Sequence, residues 1–293
     1  MKSGAHCALL VMSAVLCAVA AVSPPPLEAC TLWAAAGDRA AREGCLIAKN
    51  RDWVPEPAEV RLVSPSRGFR FLGLFPVRDG RRRGAVAGVN EKGLVVVTAT
   101  VGSIRPGERA KGASGLTGRL LAGFASLEAV LADRASFQRT HPAIYLLADA
   151  QRIAWIEVAP GGRLSVRTTD SGVLAHTNHY LDEALTGLNR QVGRSSRKRL
   201  ERIGLLLEGH PQPLNREDFI AFSRDGQDGA DDSLWRTGSR PEGRRTLASW
   251  VVSLPRDAPP ELFVRLANPG EAERTLKATL DGPFWMRTDE RIF

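Results

Sequence analysis

Ala29-Cys30-Thr31-Leu32-Trp33-Ala34-Ala35-Ala36 is the stretch on which the reading of this chain turns. It is almost wholly apolar, and Cys30–Ala36 reads as a buried strand led by a cysteine. What precedes it looks built for removal. Lys2 supplies a positive start, Ala8–Val22 is an apolar run, and Ser23-Pro24-Pro25-Pro26 stops any helix. Proline lacks the backbone N–H and restricts the residue before it. The apolar run is shorter than the ~20 residues of a comfortable membrane span and suits the core of an export signal. Residues 1–29 are therefore expected to be a signal peptide and residues 30–293 one mature domain, periplasmic or secreted. Cleavage after Ala29 would leave Cys30 with a free α-amino group, so that one residue holds both a nucleophile and a base. Ala18–Ala21 offers other small residues at which cleavage could fall.

Lys2 and Glu28 leave together, so the formal net charge of +8 is unchanged by that cut. The remainder is long enough to bury a sizeable core. Its basic runs, Arg81-Arg82-Arg83 and Arg197-Lys198-Arg199, are not interleaved with aromatic residues, and no nucleic-acid motif accompanies them. They read as solvated faces that aid solubility or meet an anionic envelope surface, and no nucleic-acid partner is expected. Cys7 and Cys17 leave with the signal, so only Cys30 and Cys45 remain. Two fates of Cys30 other than catalysis stay open. It could pair with Cys45 in a disulfide of a structural protein. Alternatively, Leu27-Glu28-Ala29-Cys30 resembles a lipobox. A lipid on Cys30 would block amine and thiol together and leave a non-catalytic, lipid-anchored envelope protein.

Short apolar or alternating runs dominate the first part of the mature chain: Cys45–Ala48, Glu59–Val63, Phe69–Phe75 and Gly84–Val89. Gly93–Val101 is β-branched and apolar throughout, which predicts a strand buried on both faces. Helical spacing follows at Leu127, Val130 and Leu131 behind the N-cap Ser126. Ala143–Ala148 and Ile153–Val158 flank Asp149-Ala150-Gln151-Arg152 as a hairpin, and Arg163–Arg167 alternates as a half-exposed strand. Ser196–Glu208 reads as a helix stopped by Gly209, with Leu200, Ile203 and Leu207 on one face. Asn215 caps another, with Asp218 at its third position and a Leu214–Phe219 staple. Ala248–Leu254, Glu261–Ala267 and Thr275–Leu280 finish the chain as strands. Asp225–Arg245 is the one long polar loop, read as a surface excursion. Strands, helices, strands, helices, strands is not βαβ alternation. It fits an α+β fold of two mainly antiparallel sheets packed face to face with helices outside.

Cleaving an amide with a cysteine needs a thiolate, a proton acceptor that later donates to the leaving amine, and donors facing the oxyanion. A free α-amine, with a reference pKa of ~7.7–8.0, can be that acceptor at neutral pH. A carboxylate is the natural group to hold it, and a side-chain amide can serve the oxyanion without titrating. Three segments supply such groups: Lys49-Asn50-Arg51-Asp52-Trp53, Asn90-Glu91-Lys92-Gly93-Leu94 and His176-Thr177-Asn178-His179-Tyr180. With Cys30-Thr31 they resemble the N-terminal-nucleophile hydrolases of the linear-amide class. That class includes choloylglycine hydrolases, penicillin V acylases, acid-ceramidase relatives and the isopenicillin-N acyltransferase family. The likeness runs from Cys30 to about Pro269 and takes in the Ser195–Arg202 helix start and the Thr246–Ser253 strand.

The resemblance implies a four-layer αββα sandwich. It also implies an amidohydrolase, or an acyltransferase on the same site, that acts on a small N-acyl amide without cofactor or metal. By position, Cys30 matches the nucleophile, Asp52 the aspartate that holds amine and thiol, and Asn178 the oxyanion asparagine. A position near Thr100, ten residues after Asn90, matches a second oxyanion contributor, where a backbone N–H would serve. Arg197 or Arg199 matches a site arginine. Lys49 stands where choloylglycine hydrolases have arginine, keeping the charge without the planar fork. Arg51 could compensate, although strand alternation points it with Lys49. Basic residues such as Arg51 would favour amides that carry a carboxylate, among them penicillin V-like or N-acyl amino acid compounds. His176 and His179 have metal-pair spacing but no further ligand nearby, and Ser114 lacks the glycine of a nucleophile elbow because Leu116 follows.

Overall fold

The computed structural model describes residues 29–293. The apolar run, the prolines, Cys7, Cys17 and the rest of the expected signal before Ala29 lie outside the described residues. In chain order the strands are β1 (Ala29–Ala36), β2 (Cys45–Trp53), β3 (Ala58–Val63), β4 (Phe71–Arg78), β5 (Arg81–Arg82), β6 (Ala87–Asn90) and β7 (Val95–Thr100). They continue as β8 (Ala143–Ala148), β9 (Ile153–Ala159), β10 (Arg163–Thr169), β11 (Gly172–His176), β12 (Arg245–Leu254), β13 (Glu261–Leu266) and β14 (Arg274–Thr279). They form two antiparallel sheets, one ordered β11-β1-β2-β12-β13-β14 and the other β10-β9-β8-β7-β6-β4-β3 with β5 beside β4. This is the α+β arrangement of two antiparallel sheets that the element order implied.

Side-chain alternation explains the layering. Along β1, Cys30, Leu32, Ala34 and Ala36 face the second sheet, where they join Val95 and Val97 of β7. Trp33 and Ala35 face the other way, onto Ile203, Leu207, Phe219 and Phe222 of the helices Arg194–Gly209 and Arg216–Phe222. Val96 turns to the outer face of its sheet and packs on Leu116, Leu120, Leu121, Leu127 and Val130. The Gly93–Val101 run is therefore buried on both sides because apolar cores flank both of its faces. Asn215 caps its helix in a full capping box with Asp218.

Some elements differ from expectation. Strand β2 continues through Trp53, so Lys49–Asp52 lie within it and alternate in direction. Residues Leu116–Gly123 form a helix that their flanking and internal glycines obscure, since each glycine disfavours a helix by roughly 1 kcal/mol. Asp225–Arg245 is not merely a surface excursion: Ser233, Leu234 and Arg236 are buried, and the Leu234 carbonyl accepts from Asn50 Nδ2 at 2.7 Å. The polar letters conceal a segment whose backbone groups satisfy buried side chains of β2. Cys30 and Cys45 are both free. Cys30 pairs with Arg51 and Cys45 with Ala36, at opposite ends of the β1–β2 ladder, ~20 Å apart at ~3.3 Å per residue. A disulfide needs Cα atoms within ~7 Å, so the Cys30–Cys45 bridge is ruled out.

Candidate active site

The site forms where β1 begins, between strands β2 and β11. Cys30 is buried, and its backbone N–H donates to Asn178 Oδ1 at 3.0 Å. Asn178 follows β11 in the loop that closes over the start of β1. Its Nδ2 donates to the Thr100 carbonyl at 2.9 Å, so one amide side chain ties β1 to the end of β7 in the opposite sheet. An amide nitrogen carries two N–H groups, so a second donor remains to Asn178. Thr100 Oγ1 is buried and makes no hydrogen bond.

The helix Arg194–Gly209 crosses the outer face of β1 and changes character along its length. Ile203 and Leu207 pack into the apolar core, while Arg199 and Ser196, about one and two turns earlier, are polar and buried. Arg199 is 0% exposed, and its Nη1 donates to the Cys30 carbonyl and to Thr31 Oγ1, both at 2.7 Å. Its Nη2 donates to Asn178 Oδ1 at 3.0 Å. Burial pulls its pKa down to about 10, against the attraction of Asp52, and it stays a cation at neutral pH. Arg197 is on the exposed face. Of the two arginines considered, Arg199 is the one placed against Cys30.

Asp52 sits opposite Ala29 in the β1–β2 ladder and opposite Thr246 in the β2–β12 ladder. The β2–β12 register slips between Thr246 and Ala248, leaving Leu247 as the extra residue of a bulge. Thr246 Oγ1 donates to Asp52 Oδ1 at 2.8 Å and accepts from the Arg236 backbone N–H at 2.8 Å. Asp52 Oδ2 lies 3.8 Å from Arg199 Nη1 and accepts no hydrogen bond. Burial pushes the Asp52 carboxyl above its usual range, opposed by the nearby charges of Arg199 and Arg236 and by the Thr246 hydroxyl.

Lys49 and Arg51 project from the other face of β2, toward the second sheet. Lys49 Nζ donates to the carbonyls of Thr98 at 2.6 Å and Val86 at 3.0 Å. Arg51 is taken up by an ion pair with Glu56, whose other oxygen accepts from Arg78 Nε at 3.0 Å. Cys30, Lys49, Asp52 and Thr100 all line one cavity of about 260 Å³, with Trp53, Tyr145 and Leu116 among its apolar walls. Ser114 is in a loop, as read, and lines the same cavity.

The Asn178 loop is held from both sides. Glu157 on β9, wholly buried, accepts from the Leu181 and Asp182 backbone N–H groups and lies 2.8 Å from His176 Nε2. Ser196 Oγ accepts the Asn178 N–H at 3.1 Å and contacts His179 Nδ1 at 2.9 Å. His176 and His179 thus face different partners, and no cluster of metal-ligating side chains occurs among the described residues. Sequence reasoning passed over Thr31, Glu157, Ser196, Arg236 and Thr246. Thr31, Ser196 and Thr246 stand in segments of the resemblance without a role assigned to them, and Glu157 and Arg236 stand in none; it is their buried contacts that single them out.

The family model described as acyl-coenzyme A:6-aminopenicillanic acid acyl-transferase matches residues 40–271. The chain belongs to this family. Among curated proteins no sequence matches. Solved structures agree in fold with this acyl-transferase family member. A mutant conjugated bile acid hydrolase from Clostridium perfringens superposes with a TM-score of 0.55 at 13% identity, covering 87% of this chain and 94% of that one. Penicillin V acylase from Agrobacterium tumefaciens gives 0.51 at 16% identity, covering 86% and 88%. The family and the fold are those of the N-terminal-nucleophile class to which the Cys30, Asp52 and Asn178 segments pointed.

Proposed function

We propose that this protein is an exported cysteine amidohydrolase of N-acyl amides, activated when cleavage after Ala29 frees the Cys30 α-amine. The observation that carries the reading is the buried Asp52 Oδ2 across the ladder from Ala29, which accepts no hydrogen bond, with the Cys30 nitrogen already bonded to Asn178 Oδ1. A buried carboxylate oxygen without a donor is costly, and a newly freed ammonium would satisfy it. In this mechanism the α-amine takes the thiol proton and the thiolate adds to the amide carbonyl. The second N–H of Asn178 and a donor at Thr100 face the oxyanion. The C–N bond breaks, the leaving amine takes the proton from the α-ammonium, and a thioester remains. Water then adds to the thioester, giving one proton back through the amine to the thiol and releasing a carboxylic acid. An acceptor amine in place of water gives acyl transfer from the same thioester, a reading that the name of the family favours.

N-terminal sequencing and intact mass of the exported protein test this first. A mature start at Cys30 with a free amine, and amidase activity lost in Cys30→Ser but kept in Cys45→Ser, is the expected result. A diacylglyceryl adduct on Cys30, a start elsewhere, or full activity in Cys30→Ser would refute it. Burial pushes the Cys45 thiol up to about 12, so it stays protonated and inert at neutral pH.

A further inference from the structure

The Cys30 cavity opens beside a second one of about 520 Å³, and the two share Trp53, Arg78, Thr100 and His141. Thr100, joined to Cys30 through Asn178, stands at their junction. An amide held with its carbonyl at Cys30 therefore has room on both sides of the scissile bond. The second cavity has the size of a small-molecule site. Val101, Pro106, Ala110 and Pro142 make its walls apolar, and Arg78 and Arg109 bring positive charge with no aspartate or glutamate among the lining residues.

The cations near the site are not equivalent. Lys49 is committed to two carbonyls and Arg51 to Glu56. Arg109 Nη2 donates to the carbonyls of Gly102 and Ile104, holding the loop that walls the cavity. Arg78 is different. Its Nε is fixed on Glu56, and its guanidinium carbon lies 5.3 Å from the Trp53 ring centroid. Nη1 and Nη2 make no hydrogen bond among the described residues, and the side chain is 46% exposed. Glu56 is already paired with two arginines, so its charge is offset. A guanidinium anchored at one nitrogen, stacked on an indole and open at the other two presents a planar fork suited to a carboxylate.

We propose that the second cavity receives the half of the substrate beyond the scissile amide, that this half is an apolar body carrying a carboxylate, and that Arg78 binds that carboxylate. The inference rests on the amide-cleaving reading of Cys30 and moves the carboxylate contact from Arg51, which is occupied, to Arg78. It is tested by calorimetric titration of the exported Cys30→Ser protein with N-phenylacetyl-leucine and with its neutral carboxamide. The carboxylate should bind about ten-fold or more tightly, the effect of one charge-assisted hydrogen bond. Arg78→Leu on that background should erase the preference and leave the affinity for the neutral ligand in place. Arg83→Leu, which removes a cation lining only the first cavity, should keep the preference. Equal affinities before any change at Arg78, binding of neither ligand, an equal loss of both ligands in Arg78→Leu, or loss of the preference in Arg83→Leu would overturn the proposal. Turnover by the unsubstituted enzyme separates the two readings. An Arg78-dependent preference without turnover of either compound would keep the carboxylate site and sink the amidase.

Discussion

His179 offers a prediction whose size follows from its surroundings. The residue is 8% exposed, its ring against Ser196 on the long helix, with His176, Arg197 and Arg199 close enough to repel a proton and only Glu157 favouring one. Burial is the largest cause, and together these pull its pKa from 6.5 down to about 4. The sign follows directly. Between pH 6.5 and pH 4 the unfolded chain binds a proton at this residue that the folded protein does not, so stability falls as pH drops through that window and levels below it. At 1.4 kcal/mol for each tenfold, the loss amounts to about 3 kcal/mol between neutral pH and pH 4. Other groups titrate there too, so the quantity to measure is the difference between the protein and His179→Gln, by equilibrium urea unfolding at half-unit steps from pH 7 to pH 4. The variant should lose less stability than the parent across the series, with the gap closing toward acid by about 3 kcal/mol. A difference that stays constant over the whole range would refute the assignment of a proton-repelling site. Ser196 Oγ also accepts the Asn178 N–H, and in the folded protein His179 takes up its proton only near pH 4, so loss of activity through this contact should set in there and not at the upper end of the window.

Two further outcomes follow from the contacts around Asp52 and Asn178. Thr246→Val keeps the shape of the side chain but leaves Asp52 Oδ1 without a donor and the buried Arg236 N–H without an acceptor. Thermal or urea unfolding should show a loss of about 1–3 kcal/mol. Amidase kcat should fall at least ten-fold, because the carboxylate proposed to hold the α-ammonium loses its orientation. Glu157→Leu should destabilise the fold by about 3–5 kcal/mol, as it strands His176 and two backbone N–H groups in the interior. Glu157→Gln retains an acceptor for the Leu181 N–H. It should fold and lower kcat with KM little changed if the residue positions Asn178, whereas equal changes in both would contradict that role.

Much of the fold was legible because its strands obey simple alternation or are uniformly apolar, as in Gly93–Val101 and Arg163–Arg167. The helix Leu116–Gly123 was hidden by glycine, and the full length of β2 by charge: the apolar run ends at Ala48, and Lys49, Asn50, Arg51 and Asp52 extend the strand because each finds a buried partner. Lys49 and Arg51 point to one sheet face, Asn50 and Asp52 to the other, and all four are buried. Sequence periodicity scores such residues as solvent-facing because it cannot see the carbonyls of Val86, Thr98, Ser223 and Leu234 that receive them.

The same blindness applies to the parts of the site that come from remote segments. Cys30, Asp52 and Asn178 stand in recognisable segments, whereas Thr246 reaches Asp52 only because the ladder slips by one residue at Leu247. A strand has a side-chain period of two, so a one-residue slip exchanges faces for everything beyond it. Up to Ala248 the strand β12 places its apolar residues by plain alternation, and past the bulge Thr246 stands directly across from Asp52. The bulge therefore lets one strand serve two demands: core packing along most of its length and a hydroxyl aimed at a buried carboxylate at its end. Nothing in Arg245-Thr246-Leu247-Ala248 marks that slip, since an apolar residue at Leu247 is equally at home in a regular strand. The placement comes from the partner strand, whose Asp52 needs a donor and whose other oxygen still lacks one.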